Sequence, residues 1–213
     1  MAETIYFKQL ELGPMQNFIY LIGDPTTHEA AVVDPGWEIP TILKTAEQDG
    51  YRLTRAIITH SHFDHVMGLS ELLKAVDVPV HIHHTEASAL DVARSTIKPV
   101  KQGDVIQVGS VPITLIHTPG HTPGSQCLLV DDRLLSGDTL FIRACGRCDL
   151  PGSDPSALYH SLTGTLKKLD DHTRVYPGHN YADVPTSTMA DEKQANPFLR
   201  VRTLNEFLQL VGG

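Results

Sequence analysis

Apolar and polar positions along the 213 residues change period many times, and the changes predict a mixed succession of strands and helices. Ile5 to Leu12 and Gln16 to Ile22 alternate or run apolar on either side of Gly13-Pro14, the pattern of two strands joined by a turn. Ala30 to Asp34 is a further strand closed by Asp34-Pro35-Gly36, and Ile39 to Gln48 has helical spacing that stops at Gly50. Arg55 to Thr59 is a β-branched run of the kind a buried strand carries. Apolar residues at Val66, Met67, Leu69, Leu72, Leu73 and Val76 then predict one amphipathic helix over 66–76. Beyond it lie a strand over 78–83 and a helix over 86–93. Hairpins follow at 105–108 with 111–117 and at 126–130 with 134–136. Asp154-Pro155 is an N-cap followed by proline, opening a helix whose stripe is Leu158, Leu162, Leu166 and Leu169. A strand at 174–176 and a closing helix over 198–211 complete the chain. No solenoid-period repeat, low-complexity tract or Gly/Ser linker interrupts it, so one α/β domain over 1–213 is expected.

Composition narrows the class of partner. Hydrophobic residues make up 41% and charged residues 20%, a globular balance. Seventeen basic and 25 acidic side chains leave a formal charge of −8, which argues against nucleic acid or an anionic membrane as the main partner. A bound cation would reverse that sign locally, so a small anionic substrate stays open. Three cysteines, Cys127, Cys145 and Cys148, do not make a secreted disulfide framework. No apolar run is long enough for a transmembrane helix, and Met1-Ala2-Glu3-Thr4 does not open a leader peptide. A cytoplasmic protein is expected, with a homodimer left open.

Chemistry concentrates in residues 59–65, Thr-His-Ser-His-Phe-Asp-His, between the strand ending at Thr59 and the helix expected from Val66. His60, His62, Asp64 and His65 fall within six positions, a density of metal-binding groups that polar-loop composition does not supply. In an extended loop alternate residues point the same way, so His60, His62 and Asp64 are expected to converge, with His65 entering from the next turn. Asp34, at another strand end, reads either as an outer partner orienting a ligand or as a simple turn carboxylate. His121, Asp138 and His179 each follow a strand beside glycine or proline. With the first cluster they make five histidines and two aspartates, more than one four-coordinate zinc uses. The set suits two metals with a bridging carboxylate, and His and Asp without Cys suit zinc, iron or manganese.

The ordered motifs HxHxDH at 60–65, PGHTPGS at 119–125, SGDTLF at 136–141 and PGHN at 177–180 resemble the metallo-β-lactamase superfamily over nearly the whole chain, and within it the glyoxalase II branch. The resemblance implies an αββα sandwich with metals at one edge. It implies His60, His62 and His121 on a first metal, Asp64, His65 and His179 on a second, and Asp138 between them, with Asp64 and Asp138 as the catalytic carboxylates. Glyoxalase II-like enzymes hydrolyse glutathione thioesters at such a binuclear site. Persulfide dioxygenases of the group hold one Fe(II), which here would sit on His60, His121 and Asp138. A non-catalytic or redox module on the same scaffold is disfavoured. The related flavin-linked di-iron proteins carry glutamate where this chain has His62, and scaffold-only relatives usually lose part of the ligand set.

Arg147 and Tyr181 resemble glutathione contacts of the persulfide dioxygenases, whereas Leu150-Pro151-Gly152 looks more like the hydrolases. Arg147 could equally form an ion pair with Asp149 or Asp154. After His179 there is room for the closing helix at 198–211 and not for the helical domain with which longer hydrolases bind glutathione, although shorter members are known in the branch. Cys145 and Cys148 form a CxxC in a long loop, read as unreactive thiols. His81, His83 and His84 are expected to face solvent on an edge strand, and His117 is a candidate partner for His121.

Overall fold

The computed structural model describes residues 5–212; Met1 to Thr4, from which no leader was expected, and Gly213 lie outside them. In chain order the strands are β1 (Tyr6–Leu12), β2 (Asn17–Asp24), β3 (Glu29–Val33), β4 (Arg52–Ile57), β5 (Val80–His83), β6 (Ile97–Val100) and β7 (Val105–Val108). They continue as β8 (Val111–His117), β9 (Gln126–Val130), β10 (Arg133–Gly137), β11 (Leu140–Phe141), β12 (Ala144–Cys145), β13 (Arg174–Pro177) and β14 (Ser187–Thr188). The helices are α1 (Ile39–Gln48), α2 (Phe63–Val66), α3 (Leu69–Ala75), α4 (Pro155–Tyr159), α5 (Met189–Ala195), α6 (Pro197–Arg200) and α7 (Leu204–Val211).

Two six-stranded sheets form, in the orders β1-β2-β3-β4-β5-β6 and β14-β13-β10-β9-β8-β7. β2 is buried along its full length because both of its faces are covered. Tyr20 and Ile22 face the second sheet across a core shared with Ile113, Leu115, Leu128 and Tyr176. Ile19 and Leu21 face α1 and α3 through Ile39, Ile42, Leu69 and Leu72. A third apolar layer seats Leu158, Leu162, Leu166 and Phe207 on the outer face of the second sheet through Cys127, Leu134 and Val175. The result is the expected helix–sheet–sheet–helix stack, a single domain, and central strands apolar on both faces, such as β2, are what permit it.

Several expected boundaries move. The helix read as 66–76 starts at Phe63 and breaks at Gly68, where any side chain would strike the Pro35 carbonyl and Ile39. The helix read at 86–93 shrinks to one tight turn at 87–89, because Glu86 is turned inward to other duties. β6 carries no strand pattern in its sequence because Lys98-Pro99 interrupts it; a proline is tolerated there because β6 is the edge of its sheet. It also makes β5 an interior strand, so of the three histidines expected at a solvent-facing edge only His84 is exposed. His83 is buried and stacked on His117, centroids 4.0 Å apart, while both ring nitrogens of His81 are buried without a partner among the described residues. The closing helix divides into α6 and α7, because Thr203 caps a new start through the Glu206 amide at 3.2 Å.

Candidate metal centre

β3, β4, β8, β10 and β13 all deliver their carboxyl ends to one rim of the sandwich, and the β1–β2 turn lies at the same rim. Backbone hydrogen bonds stitch the two sheets together there. Phe18 N donates to Gly178 O at 2.8 Å, Asn180 N to Gln16 O at 2.8 Å and Gln126 N to Thr59 O at 3.0 Å. The loops that carry the seven candidate ligands are therefore mutually braced.

All seven side chains converge. His60 Nε2 and His121 Nε2 lie 3.1 and 2.9 Å from His62 Nδ1, forming one triad. Asp64, His65 and His179 form another, with His65 Nε2 3.2 Å from His179 Nε2 and Asp64 Oδ2 3.4 and 3.3 Å from those two nitrogens. Asp138 lies between the triads: Oδ2 is 3.6 Å from His121 Nε2 and 3.3 Å from His179 Nε2, and Oδ1 is 3.4 Å from His65 Nε2. Asp64 thus joins His65 and His179 rather than His60 and His62. Helix α2 begins before Asp64, so the alternation of an extended loop ends at His62.

The outer partners decide which nitrogen of each ring faces inward. His121 Nδ1 donates to Arg147 O at 2.7 Å and His179 Nδ1 to Met15 O at 2.9 Å; a carbonyl can only accept, so in the neutral ring each Nε2 is the nitrogen with a lone pair for the centre. Asp34 Oδ2 accepts from His65 Nδ1 at 3.0 Å and from the Thr59 hydroxyl at 2.6 Å. That hydroxyl, its proton committed, accepts from His60 Nδ1 at 3.1 Å. Asp34 therefore sets two rings at once. It holds a left-handed backbone, φ 52°, which aspartate tolerates better than most residues, and its other oxygen accepts from Thr59 N at 2.7 Å.

Lone pairs aimed at one another across about 3 Å repel unless a cation lies between them. Asp138 Oδ1, buried with no hydrogen-bond donor, adds an acceptor to the same space. This donor set fits divalent metal. The charges make the same demand. Burial lowers His65, but the carboxylates of Asp138 and Asp34 outweigh it and hold the ring well above its ordinary value. Burial lowers His179 too, yet Asp138 and Asp64 carry it up to about 9. Burial would raise Asp64, but His179 and His65 hold it down at about 2. His60, walled in and beside other imidazoles, is lowered.

Side chains that sequence reading passed over hold the arrangement. Asn17 Nδ2 donates to Asp64 Oδ2 at 2.9 Å and is itself oriented by Trp37 Nε1. Glu86, 5% exposed, accepts from Ser61 N and Gly124 N, both at 2.7 Å, and so ties the His62 loop to the His121 loop. Asn196 Nδ2 donates to the carbonyls of Phe141 and Ala144 and sets the β11–β12 hairpin beside the site. These residues sit in no recognisable motif; the one local signal is at Asn196, before a proline. His117 does not touch His121; its Nε2 meets Pro123 O at 2.9 Å, which steadies the same loop from outside.

A cavity of about 780 Å³ opens over the triads, walled mainly by apolar groups that include Phe63, Phe141, Ile142, Leu150 and Tyr181. Tyr181 stacks on His179 with centroids 4.6 Å apart. Arg147 also lines the cavity, but its fork is bound to Asp149 at 2.7 and 2.8 Å, with no bond to Asp154. Cys145 and Cys148 are free thiols; burial pushes Cys145 up to about 12 and raises Cys148. No helix among the described residues is long and apolar enough to cross a membrane.

Comparison with known proteins agrees with this geometry. The chain is 30% identical over 192 residues to a probable polyketide biosynthesis zinc-dependent hydrolase of Bacillus velezensis, covering 90% of this chain and 85% of the relative. It is 37% identical over 172 residues to hydroxyacylglutathione hydrolase of Nitrosococcus oceani, covering 79% of this chain and 64% of that longer protein. It is 33% identical to the human mitochondrial persulfide dioxygenase ETHE1, covering 92% of this chain and 76% of that one. Among solved structures, ETHE1 from Myxococcus xanthus superposes with a TM-score of 0.89 at 33% identity, over 98% of this chain and 90% of the other. The family model for the metallo-beta-lactamase superfamily matches residues 12–179, a span that holds all seven clustered side chains, and the chain belongs to that superfamily.

Proposed function

We propose that the chain is a metallohydrolase of the glyoxalase II-like type that cleaves thioesters, with a glutathione-linked thioester as its substrate class. The observation that carries this reading is the presence of two complete triads joined by Asp138, donors enough for two divalent ions, a set that the persulfide dioxygenases of the group share. His60, His62 and His121 would hold one divalent ion, Asp64, His65 and His179 a second, with Asp138 reaching both. Ions held there supply Lewis acidity and bring the pKa of a bound water towards neutrality. Asp64 and Asp138 stay ionised in this setting and offer negative charge and proton-accepting oxygens beside the cavity floor. The apolar walls exclude water and leave the substrate carbonyl one polar place to go. Zinc, iron and manganese all suit the donors. Free thiols throughout suit a reducing cytoplasm.

A second reading, persulfide dioxygenase with one Fe(II) on His60, His121 and Asp138, draws support from Arg147 and Tyr181 at the cavity. Metal analysis of natively supplied protein separates the two. Two metals per chain with thioester cleavage supports the hydrolase. One iron with oxygen uptake on glutathione persulfide overturns it in favour of the dioxygenase. His60→Ala is expected to abolish metal-dependent turnover in a protein that still folds; activity that survives the substitution and metal depletion refutes either reading.

A further inference from the structure

We infer that Asp149 is a specificity-determining residue that competes with a substrate carboxylate for Arg147 and so weakens the hold of this site on anionic thiol carriers. The inference rests on the thioester reading above. It starts from how few cations the cavity owns: among the described residues that line it, Arg147 is the sole lysine or arginine. Its main chain is fixed, because the Arg147 carbonyl receives His121 Nδ1 at 2.7 Å. The guanidinium therefore swings from an anchored point beside the metal-facing ring.

One full edge of that guanidinium is taken. Nε donates to Asp149 Oδ1 at 2.7 Å and Nη2 to Asp149 Oδ2 at 2.8 Å, the two-pronged geometry in which arginine best recognises a carboxylate. Nη1 has no partner among the described residues. An incoming carboxylate has two choices. It can displace Asp149 and take the fork, or it can bind end-on at the remaining N–H groups beside a like charge. Both weaken binding relative to an unpaired arginine. Each side chain is 62% exposed, so the internal pair is weak and can be displaced; it lowers affinity without closing the site. The rest of the wall, with Phe141, Ile142 and Leu150, accepts uncharged groups and is indifferent to this contest.

The opposite role is physically reasonable too: Asp149 could hold the fork ready for substrate, and its loss would then weaken binding. The sign of one measurement decides. S-methylglutathione is a stable thioether bearing both carboxylates, and calorimetry on the metal-loaded protein reads its affinity without any turnover. We expect Asp149→Asn to tighten binding about three- to fivefold, the range an exposed ion pair supports, and more at low salt than at high. On an Arg147→Ala background the same substitution should have no effect, and with the diethyl ester of the ligand, which lacks the carboxylates, it should have none either. Unchanged or weaker binding in Asp149→Asn, an effect that persists without Arg147, or no binding to any variant overturns the inference. Because the readout is binding, a protein that cleaves no thioester would defeat the hydrolase reading while leaving this result to be judged by itself.

Discussion

Glu86→Ala is expected to cost about 3–4 kcal/mol of folding stability and to loosen both triads through the two loops that Glu86 ties together. The carboxylate is 5% exposed and each oxygen accepts one backbone N–H at 2.7 Å, from Ser61 on one loop and Gly124 on the other. Hydrogen bonds to a charged acceptor contribute roughly 1.5–3 kcal/mol each, and truncation leaves two amides short of a partner, with entering water recovering part of the loss. A domain with about 5–15 kcal/mol in hand survives this, so the variant can be purified and studied. Glu86→Gln makes a sharper companion. It keeps shape and volume but presents NH2 to one of the two amides, so about 2 kcal/mol should go and one loop should detach. Urea unfolding of metal-free wild type and both variants measures the stability, and competition with a chelator measures metal retention, which should fall about tenfold or more as the loops lose register. A loss under about 1 kcal/mol for Glu86→Ala, with metal retained as in wild type, would show that the loops hold each other and that the carboxylate is incidental.

Two other positions give independent tests. In Asp34→Asn the left-handed backbone is still tolerated, but an amide NH2 would face His65 Nδ1 and the Thr59 hydroxyl, turning the tautomers of His65 and His60 the wrong way. Metal affinity should fall about 10- to 100-fold at both triads, read by metal content after dialysis against a chelator; full content in the variant counts against the tautomer argument. His81 is held from 6.5 down to about 4 by burial, Arg55 and Lys98, so its folded pKa lies below its unfolded one. Above pH 6.5 the two states bind equal protons; as pH falls from 6.5 to about 4 the unfolded chain takes up a proton that the folded one refuses, and stability drops by at most about 3 kcal/mol. His83 is also lowered to about 4, so His81→Leu should reduce the slope without abolishing it, and add about 1 kcal/mol at neutral pH, since neither ring nitrogen has a partner to lose among the described residues. Equal pH slopes for wild type and variant would show that His81 is not the group responsible.

The sequence by itself carried the layered α/β fold and the seven side chains of the centre. Both are written locally. Apolar residues on both faces of β2 announce a strand covered on two sides, His60 and His62 follow a β-branched strand, and His121, Asp138 and His179 each follow a strand beside glycine or proline. Gly178 illustrates the need, for a side chain there would collide with Asp138 Oδ1. Tertiary structure decided everything that depends on which distant segment lies alongside. Period reports which face of an element is apolar, not which carbonyl will meet which imidazole. Hence Met15 O behind His179, the Glu86 tie between two loops and the Pro35 contact that splits a helix at Gly68 could not be read beforehand. The same holds for the ionic choice at Arg147, where both candidate carboxylates were visible in the chain and only the folded loop put Asp149 within reach of its fork. Each of these contacts depends on angle and on a separation of a few ångströms, quantities that an ordering of residues does not contain.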